Sequence, residues 1–423
     1  MRAGWETSTL GAICAIKPPK SEARRRLKGT DLVSFVPMNN LGVREKSLRL
    51  VESKPLDEVV GSYTYFADGD VLLAKITPCF ENGKLGIASG LVNGAGFGSS
   101  EFVVFRPNEQ LLQEFLFYFL SQDCFRTAGA RTMSGAVGHK RITNEFIENY
   151  PINLPSIAEQ KRIVALLDEA FTGLAAAIAN ATKNLGNARE LFDSYLNSAF
   201  MKQSESWVEM KLGDKNLLAI IDGDRGKNYP TKDDYLEDGY CLFLNTKNVR
   251  PDGFAFDSLM FISKEKDELM GKGKLKRRDV VMTTRGTIGN IAIYDERVEF
   301  NVIRINSGML IFRPNEQVIL AEYLFEALRS SVMKSQITKY VSGAAQPQLP
   351  IKTLVNFVLP VPRNLGEQRQ LVADLKELEI EVNRLEAIYE QKLNSLIELK
   401  QSLLHQAFTG QLTTSAEFDD VAA

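Results

Sequence analysis

Histidine is nearly absent from this chain of 423 residues, with only His139 and His405, and cysteine is sparse, with Cys14, Cys79, Cys124 and Cys241. The cysteines stand far apart and form no Cys-x-x-Cys pair. Neither a zinc site nor a disulfide framework is therefore expected, and they read as reduced, structural thiols. No excess of either charge is present. A formal net charge of −2 excludes a polybasic chain and leaves any contact with nucleic acid to local patches or partner subunits. Long apolar runs are missing as well: the most apolar stretch, 111–120, is short and carries Gln113 and Glu114. It reads as a buried helix rather than a membrane span. The opening MRAGWETSTL lacks the apolar core of a signal peptide, so a soluble, cytoplasmic protein is expected.

Catalytic signatures are equally scarce. No GxxxxGK[ST] loop occurs, which argues against ATP use by this chain. Lys17-Pro18-Pro19-Lys20 lacks the Asn or Asp and the aromatic residue with which an amino-methyltransferase holds its target base. Gly94-Ala95-Gly96-Phe97-Gly98 is too irregular for a cofactor loop, and Asp233-Asp234 reads as a surface pair. An unrecognised nuclease centre is the remaining enzyme-class alternative, and metal-dependent cleavage by the isolated chain would reveal it.

What the chain does have is a repeat. Phe105-Arg106-Pro107-Asn108-Glu109-Gln110 recurs letter for letter as Phe312-Arg313-Pro314-Asn315-Glu316-Gln317, a match with a chance probability on the order of 10⁻³. Other landmarks return in the same order at nearly the same spacing. Trp5 with Leu10-Gly11 matches Trp207 with Leu212-Gly213, and Asp70-Val71 matches Asp279-Val280. Ser134-Gly135-Ala136 matches Ser342-Gly343-Ala344, Glu159-Gln160 matches Glu367-Gln368, and Ala199-Phe200 matches Ala407-Phe408. One unit of about 200 residues is written twice, with loop insertions and deletions between the copies. Ordinary globular composition, 44% hydrophobic and 25% charged, gives each copy enough to bury a core.

Each copy opens with short apolar runs punctuated by turn residues. These are 70–75, 85–88 and 101–105 in the first, and 279–282, 290–294 and 309–312 in the second. They predict a curved, mostly antiparallel sheet. An apolar helix follows in each, over about 111–125 and 318–334. A Gly-rich loop, a short strand ending in Leu-Pro, and a long helix complete the unit. In the first long helix apolar or small residues fall at Ile163, Leu167, Ala170, Leu174, Ala177, Ala181, Leu185, Ala188, Phe192, Tyr195 and Ala199. The steps alternate four and three, as in a coiled-coil seam, with one stutter between Ala181 and Leu185. Leu371, Leu375, Leu378, Val382, Leu385, Tyr389, Leu393, Leu396 and Leu403 form the second seam. Such a rod, roughly 60 Å long at about 1.5 Å per residue, needs a helical partner for its seam. The other copy supplies one, in an antiparallel pair with pseudo-twofold symmetry.

The arrangement resembles the specificity (S) subunits of type I restriction-modification systems, the HsdS family, over nearly the whole chain. The resemblance rests on Leu154-Pro155 with Glu159-Gln160-Lys161-Arg162, Leu359-Pro360 with Glu367-Gln368-Arg369, and the helix ends Ala199-Phe200 and Gln406-Ala407-Phe408-Thr409-Gly410. One departure is the insert Val361-Pro362-Arg363-Asn364 after the second Leu-Pro. The expected architecture is α+β: recognition domains at 1–155 and 204–362, long helices at 156–203 and 363–412, and a flexible tail at 413–423. The resemblance implies a non-catalytic reader of a bipartite DNA target, one half-site per domain, with the coiled helices fixing the gap. It also implies two methyltransferase subunits that carry S-adenosylmethionine, and restriction/translocase subunits that use ATP and Mg. A coiled-coil scaffold with two protein-recognition modules is the alternative, and salt-sensitive duplex binding separates the two.

Three pairs of segments are candidate DNA contacts. Lys17, Lys20, Arg24, Arg25, Arg26 and Lys28 form one basic run, and Lys272, Lys274, Lys276, Arg277 and Arg278 another. They suit phosphates, although a solvated loop has the same composition. The loops 134–141 and 342–348 share their Ser-Gly-Ala start and then diverge, which suits two readers of different half-sites. His139, Lys140, Arg141, Gln346 and Gln348 are their candidate readers. Lys75 and Arg285, in matching segments 75–80 and 283–289, fall at strand ends, where polar side chains can face DNA and a hairpin turn with a surface base is an equal reading.

Overall fold

The computed structural model describes residues 4–136, 138–201, 206–341 and 348–412. The chain divides into two compact units, Met1–Thr182 with Gln391–Ala423, and Lys183–Glu390. Both long helices, Ile157–Met201 and Leu365–Thr409, are shared between the units.

In the first unit a four-stranded antiparallel sheet runs in the order Cys14–Ile16, Phe102–Pro107, Val71–Ala74, Leu85–Ile87. A second sheet runs Glu52–Pro55, Leu32–Val36, Ala95–Gly98, Thr64–Ala67, with one parallel pairing between its central strands. The run Val71-Leu72-Leu73-Ala74 is buried throughout because it feeds two cores. Side chains alternate across a strand. Val71 and Leu73 pack with Phe105, Phe115 and the long helices, whereas Leu72 and Ala74 pack with Val36, Phe66 and Val104. The second unit repeats this plan. Leu218–Asp222, Met309–Pro314, Val280–Thr283 and Ile291–Ile293 form its antiparallel sheet. Phe261–Ile262, Cys241–Leu244 and Ile303–Ile305 form the other sheet, again with one parallel pairing. Val280 and Met282 face one core there, Val281 the other.

The helix expected after each FRPNEQ segment is broken in both copies. Gln113–Leu120 and Asp123–Thr132 replace the first, and Ala321–Arg329 and Ser331–Tyr340 the second. A serine ends each leading helix: Ser121 Oγ donates to Phe117 O at 2.8 Å and Ser330 Oγ to Ala327 O at 2.7 Å. The next turn restarts from extended backbone at Gln122 and Ser330, since a short hydroxyl side chain competes for backbone partners.

Within each unit the long helices run antiparallel. Ile163 and Leu167 share a core with Leu404, Ala407 and Phe408 in the first. Phe192, Leu196 and Phe200 meet Val372, Leu375 and Val382 in the second, where Arg189 also reaches Glu386 at 3.6 Å and Glu390 at 3.2 Å. The seam departs from the predicted one at two places. Tyr195 is 41% exposed and Leu196 takes its role, because the stripe turns toward the domain and seats Phe200 against Tyr323 at 5.4 Å between ring centroids. Leu385 is exposed as well.

The verbatim repeats are framework. Arg106 grips Asp70 with both arms (Nε to Oδ1 2.7 Å, Nη2 to Oδ2 2.8 Å), and Arg313 grips Asp279 the same way at 2.8 and 2.7 Å. Gln160 and Gln368 are fully buried near the starts of the long helices. Gln160 bonds Leu112, Gln110 and Pro155, and Gln368 bonds Leu320, Val318 and Pro362. The partner of Pro155 in the repeat is thus Pro362 rather than Pro360. The second strand simply continues to Val358–Pro362, paired with Trp207–Lys211, which absorbs the insert.

Candidate nucleic-acid interface

The segments that diverge after Ser-Gly-Ala dock on the hairpins at 75–77 and 284–285 in each unit. In the first, Ile142 N donates to Lys75 O at 3.0 Å, Thr77 N to Lys140 O at 2.9 Å, and Ile76 bridges Arg141. In the second, Leu349 N donates to Thr284 O at 3.0 Å and Arg285 bridges Gln348. The backbone bonds of these hairpins to the sheet also match: Lys75 N donates to Glu101 O and Thr284 N to Gly308 O. The structure therefore aligns Lys75 with Thr284, Ile76 with Arg285, Arg141 with Gln348 and Glu101 with Gly308. Lys75 and Arg285, matched by segment in the sequence, sit one position apart on the shared backbone. The main chain is the same while every one of these side chains differs.

The chemistry of the two sites differs accordingly. Arg141 is held by Glu101 in a two-pronged pair, Nε to Oε2 and Nη2 to Oε1, both 2.8 Å. That pair lowers the Glu101 carboxyl below its ordinary range and raises the Arg141 guanidinium. Lys75 is half-buried. Desolvation lowers its pKa first, Glu101 opposes this, and Lys17 and Arg141 lower it further, which places Lys17 in the same basic cluster. His139 and Lys140 are exposed at the loop tip. Val137 lies outside the described residues. In the second unit a cleft of about 240 Å³ is lined by Asp222, Arg225, Arg285, Gln348, Leu349 and Lys352, among others. Arg225 bonds Asp222 at 3.3 Å and Ser307 O at 3.2 Å. The Arg285 guanidinium makes no hydrogen bond or ion pair among the described residues. Gln346 and the start of its loop lie outside the described residues. Sequence reading missed Arg225 and Lys352. The Asp222-Gly223-Asp224-Arg225-Gly226 turn was a signal for the first, and nothing local marks the second.

The basic runs divide into engaged and open members. Arg278 is bound by Glu316 and by both oxygens of Glu322, at 2.8 and 2.6 Å. Arg277 donates to the Val298 carbonyl at 2.9 Å and lies 4.2 Å over the Tyr294 ring. Lys274 pairs with buried Asp267. Lys20 Nζ donates to Gly61 O at 2.9 Å and Arg26 to Asn93 O at 3.3 Å. Arg24, Arg25, Lys28, Lys272 and Lys276 are exposed, with no side-chain partner among the described residues. Two of the candidate phosphate contacts, Arg277 and Arg278, thus act as struts within the second domain.

Burial pushes the Cys14 and Cys241 thiols up to about 12, and all four cysteines are free. Among the described residues no group of three or more His, Cys, Asp or Glu is placed to hold a metal ion. The first long helix, Ile157–Met201, is apolar and long enough to cross a membrane by length and composition. Its apolar stripe is the seam that meets the second long helix within each unit.

The family model for the type I restriction modification DNA specificity domain matches residues 3–184 and 204–395, one match for each copy of the repeat. The chain belongs to this specificity family. It is 41% identical over 165 residues to the type I restriction enzyme EcoEI specificity subunit of Escherichia coli, and 38% identical over 162 residues to the EcoAI specificity subunit of the same organism. Each alignment takes in 38% of this chain and 27% of the relative's length. The MjaVIII specificity subunit of Methanocaldococcus jannaschii is 24% identical over 332 residues, 75% of this chain and 74% of that protein. Among solved structures, one concerning complex assembly and conformational transition of the type I R-M system has a TM-score of 0.80 at 20% identity, covering 97% of this chain and 99% of that one. The HsdS subunit from Thermoanaerobacter tengcongensis has a TM-score of 0.63 at 19% identity, covering 97% and 98%. These likenesses bear out the α+β plan of two tandem domains with two long helices.

Proposed function

We propose that this chain is the DNA specificity subunit of a type I restriction-modification complex and reads a bipartite duplex target, one half-site per recognition domain. The observation that carries the reading is the pair of matched loop sites. One backbone presents Lys75, Ile76 and Arg141 in the first unit and Thr284, Arg285 and Gln348 in the second. Two copies of one framework with different donor and acceptor sets are what two different half-sites demand. A protein-binding scaffold has no need of unpaired cations beside those loops.

In this reading Lys17, Arg24, Arg25, Lys272 and Lys276 contact phosphates, and Lys75, His139, Lys140, Arg285 and Gln348 face the bases. The chemistry belongs to partners in the cytoplasm: two methyltransferase subunits with S-adenosylmethionine, and restriction subunits with ATP and Mg. The chain itself contributes no catalytic centre. The test is a methylome. The chain is expressed with its methyltransferase partner in a methylation-free host, and the DNA is sequenced for N6-methyladenine. One split motif with a fixed gap is expected, together with duplex binding that weakens steeply with salt. A stable complex that adds no methylation would overturn the reading in favour of the scaffold.

A further inference from the structure

Gln160 and Gln368 carry more than the burial of two helix ends. Each is a polar side chain with no solvent exposure, and each uses its whole amide. The Gln160 Oε1 accepts from Leu112 N at 2.9 Å, while Nε2 donates to Gln110 O at 2.8 Å and Pro155 O at 2.9 Å. The Gln368 Oε1 accepts from Leu320 N at 2.9 Å, while Nε2 donates to Val318 O at 2.9 Å and Pro362 O at 3.0 Å. Two segments of the recognition domain are thereby tied to one point on the long helix. These are the loop between the FRP strand and the next helix, held at two of its residues, and the end of the strand that precedes the long helix. The rest of each joint is apolar, with Leu167 and Phe408 in one and Val372 and Leu375 in the other. Apolar contact is non-directional and tolerates small rotations; three directed hydrogen bonds do not.

The joint also lies at the other end of the strand that reaches the loop site. Met309–Pro314 runs from Gly308, which carries Thr284, to the segment bonded by Gln368. Phe102–Pro107 does the same from Glu101. Six residues make an arm of roughly 20 Å. A tilt of about 10° at the joint therefore moves the loop by about 3.4 Å, one base-pair step.

We propose that Gln160 and Gln368 are positioning residues that lock the pitch of each recognition domain on its long helix and so fix the gap accepted between the half-sites. The proposal rests on the specificity reading above. The test uses the full chain with its methyltransferase partner and a set of duplexes that share the half-sites and differ in gap by one or two base pairs. Gln160→Met and Gln368→Met keep length and burial but remove the hydrogen bonds, and Gln368→Asn keeps the amide on a shorter stem. The wild type should prefer its own gap by at least about tenfold over a gap one base pair longer or shorter, the ordinary cost of one misplaced pair. The variants should keep the half-site sequences and let that ratio fall to about two- or threefold. Folded variants with the wild-type ratio overturn the proposal, as does a change in the half-sites themselves. If none of the variants forms a soluble complex, the glutamines serve folding alone and the proposal is wrong. A wild-type complex with no split motif removes the specificity reading first and the proposal with it.

Discussion

Replacing Arg285 and replacing Arg278 should have opposite consequences, although the two arginines lie only a few residues apart. Arg278 makes three charge-assisted bonds to Glu316 and Glu322, so it is spent on the domain. Arg285 lines the cleft beside Gln348 with no partner of its own among the described residues. If the proposed reading holds, Arg285→Ala removes one base or phosphate contact. A bidentate base contact is worth about 1–3 kcal/mol, roughly five- to 150-fold in affinity, and should relax the sequence at one position of one half-site. A phosphate contact would instead lower the salt slope by about one and leave the motif intact. For Arg278→Ala the loss is in folding. Two glutamates lose their cation, at about 1.5–3 kcal/mol for hydrogen bonds to charged groups, and the motif should stay as it was. Anisotropy of a labelled target at several salt concentrations, the methylome, and a thermal melt of the complex separate the outcomes. An Arg285→Ala complex within twofold of wild-type affinity and with an unchanged motif would refute the reasoning. So would an Arg278→Ala complex that melts normally and methylates a new sequence.

Further outcomes follow from the framework. Arg313→Ala strands Asp279, whose side chain is 1% exposed, and breaking such a buried pair costs about 3–5 kcal/mol; denaturant unfolding should show it, with a smaller loss when Asp279→Ala is added. Phe200→Ala removes a fully buried ring that packs on Tyr323 and Trp207 and should lower stability by about 3–5 kcal/mol in the same assay. Glu326 lines a cavity of about 480 Å³, and burial raises its carboxyl from 4.5 to about 7, against the pull of Arg329, Lys376 and Arg297 and with the push of Glu379. A carboxyl raised in the folded state favours folding below pH 4.5, and that contribution is lost as pH rises through about 7. The loss is on the order of 2–3 kcal/mol. Melting temperature should therefore fall between pH 5 and pH 8, and Glu326→Gln should flatten that slope; an unchanged slope would count against it.

The sequence disclosed the architecture because framework repeats and reading surfaces do not. Arg106, Asp70 and Gln160 recur as Arg313, Asp279 and Gln368 since each pair of positions solves one geometric problem twice. The strands followed from short apolar runs set between turn residues, and both long helices from their seams. Three features escaped for local reasons. The breaks at Ser121 and Ser330 depend on one hydroxyl choosing a backbone carbonyl, which apolar spacing does not reveal. Tyr195 and Leu196 are equally apolar neighbours, and only the domain they meet decides which one turns inward. The basic runs showed charge without partners, so Arg277 and Arg278 looked the same as Arg24 and Lys272 until Glu316, Glu322 and Tyr294 were placed beside them.

The division of the long helices between two units has a consequence for the order in which the protein can be made. The second unit is one unbroken stretch, Lys183–Glu390, and every residue of its core has been synthesised once that stretch has left the ribosome. The first unit is not. Its core includes Leu404, Ala407 and Phe408, so the domain synthesised first waits for the last part of the second long helix. Until then the faces of Ile163, Phe115 and Phe119 that these residues cover stay open. A chain stopped before Leu404 should yield a protease-resistant second unit beside a first unit that is readily cut: the part begun earliest is the last to be finished.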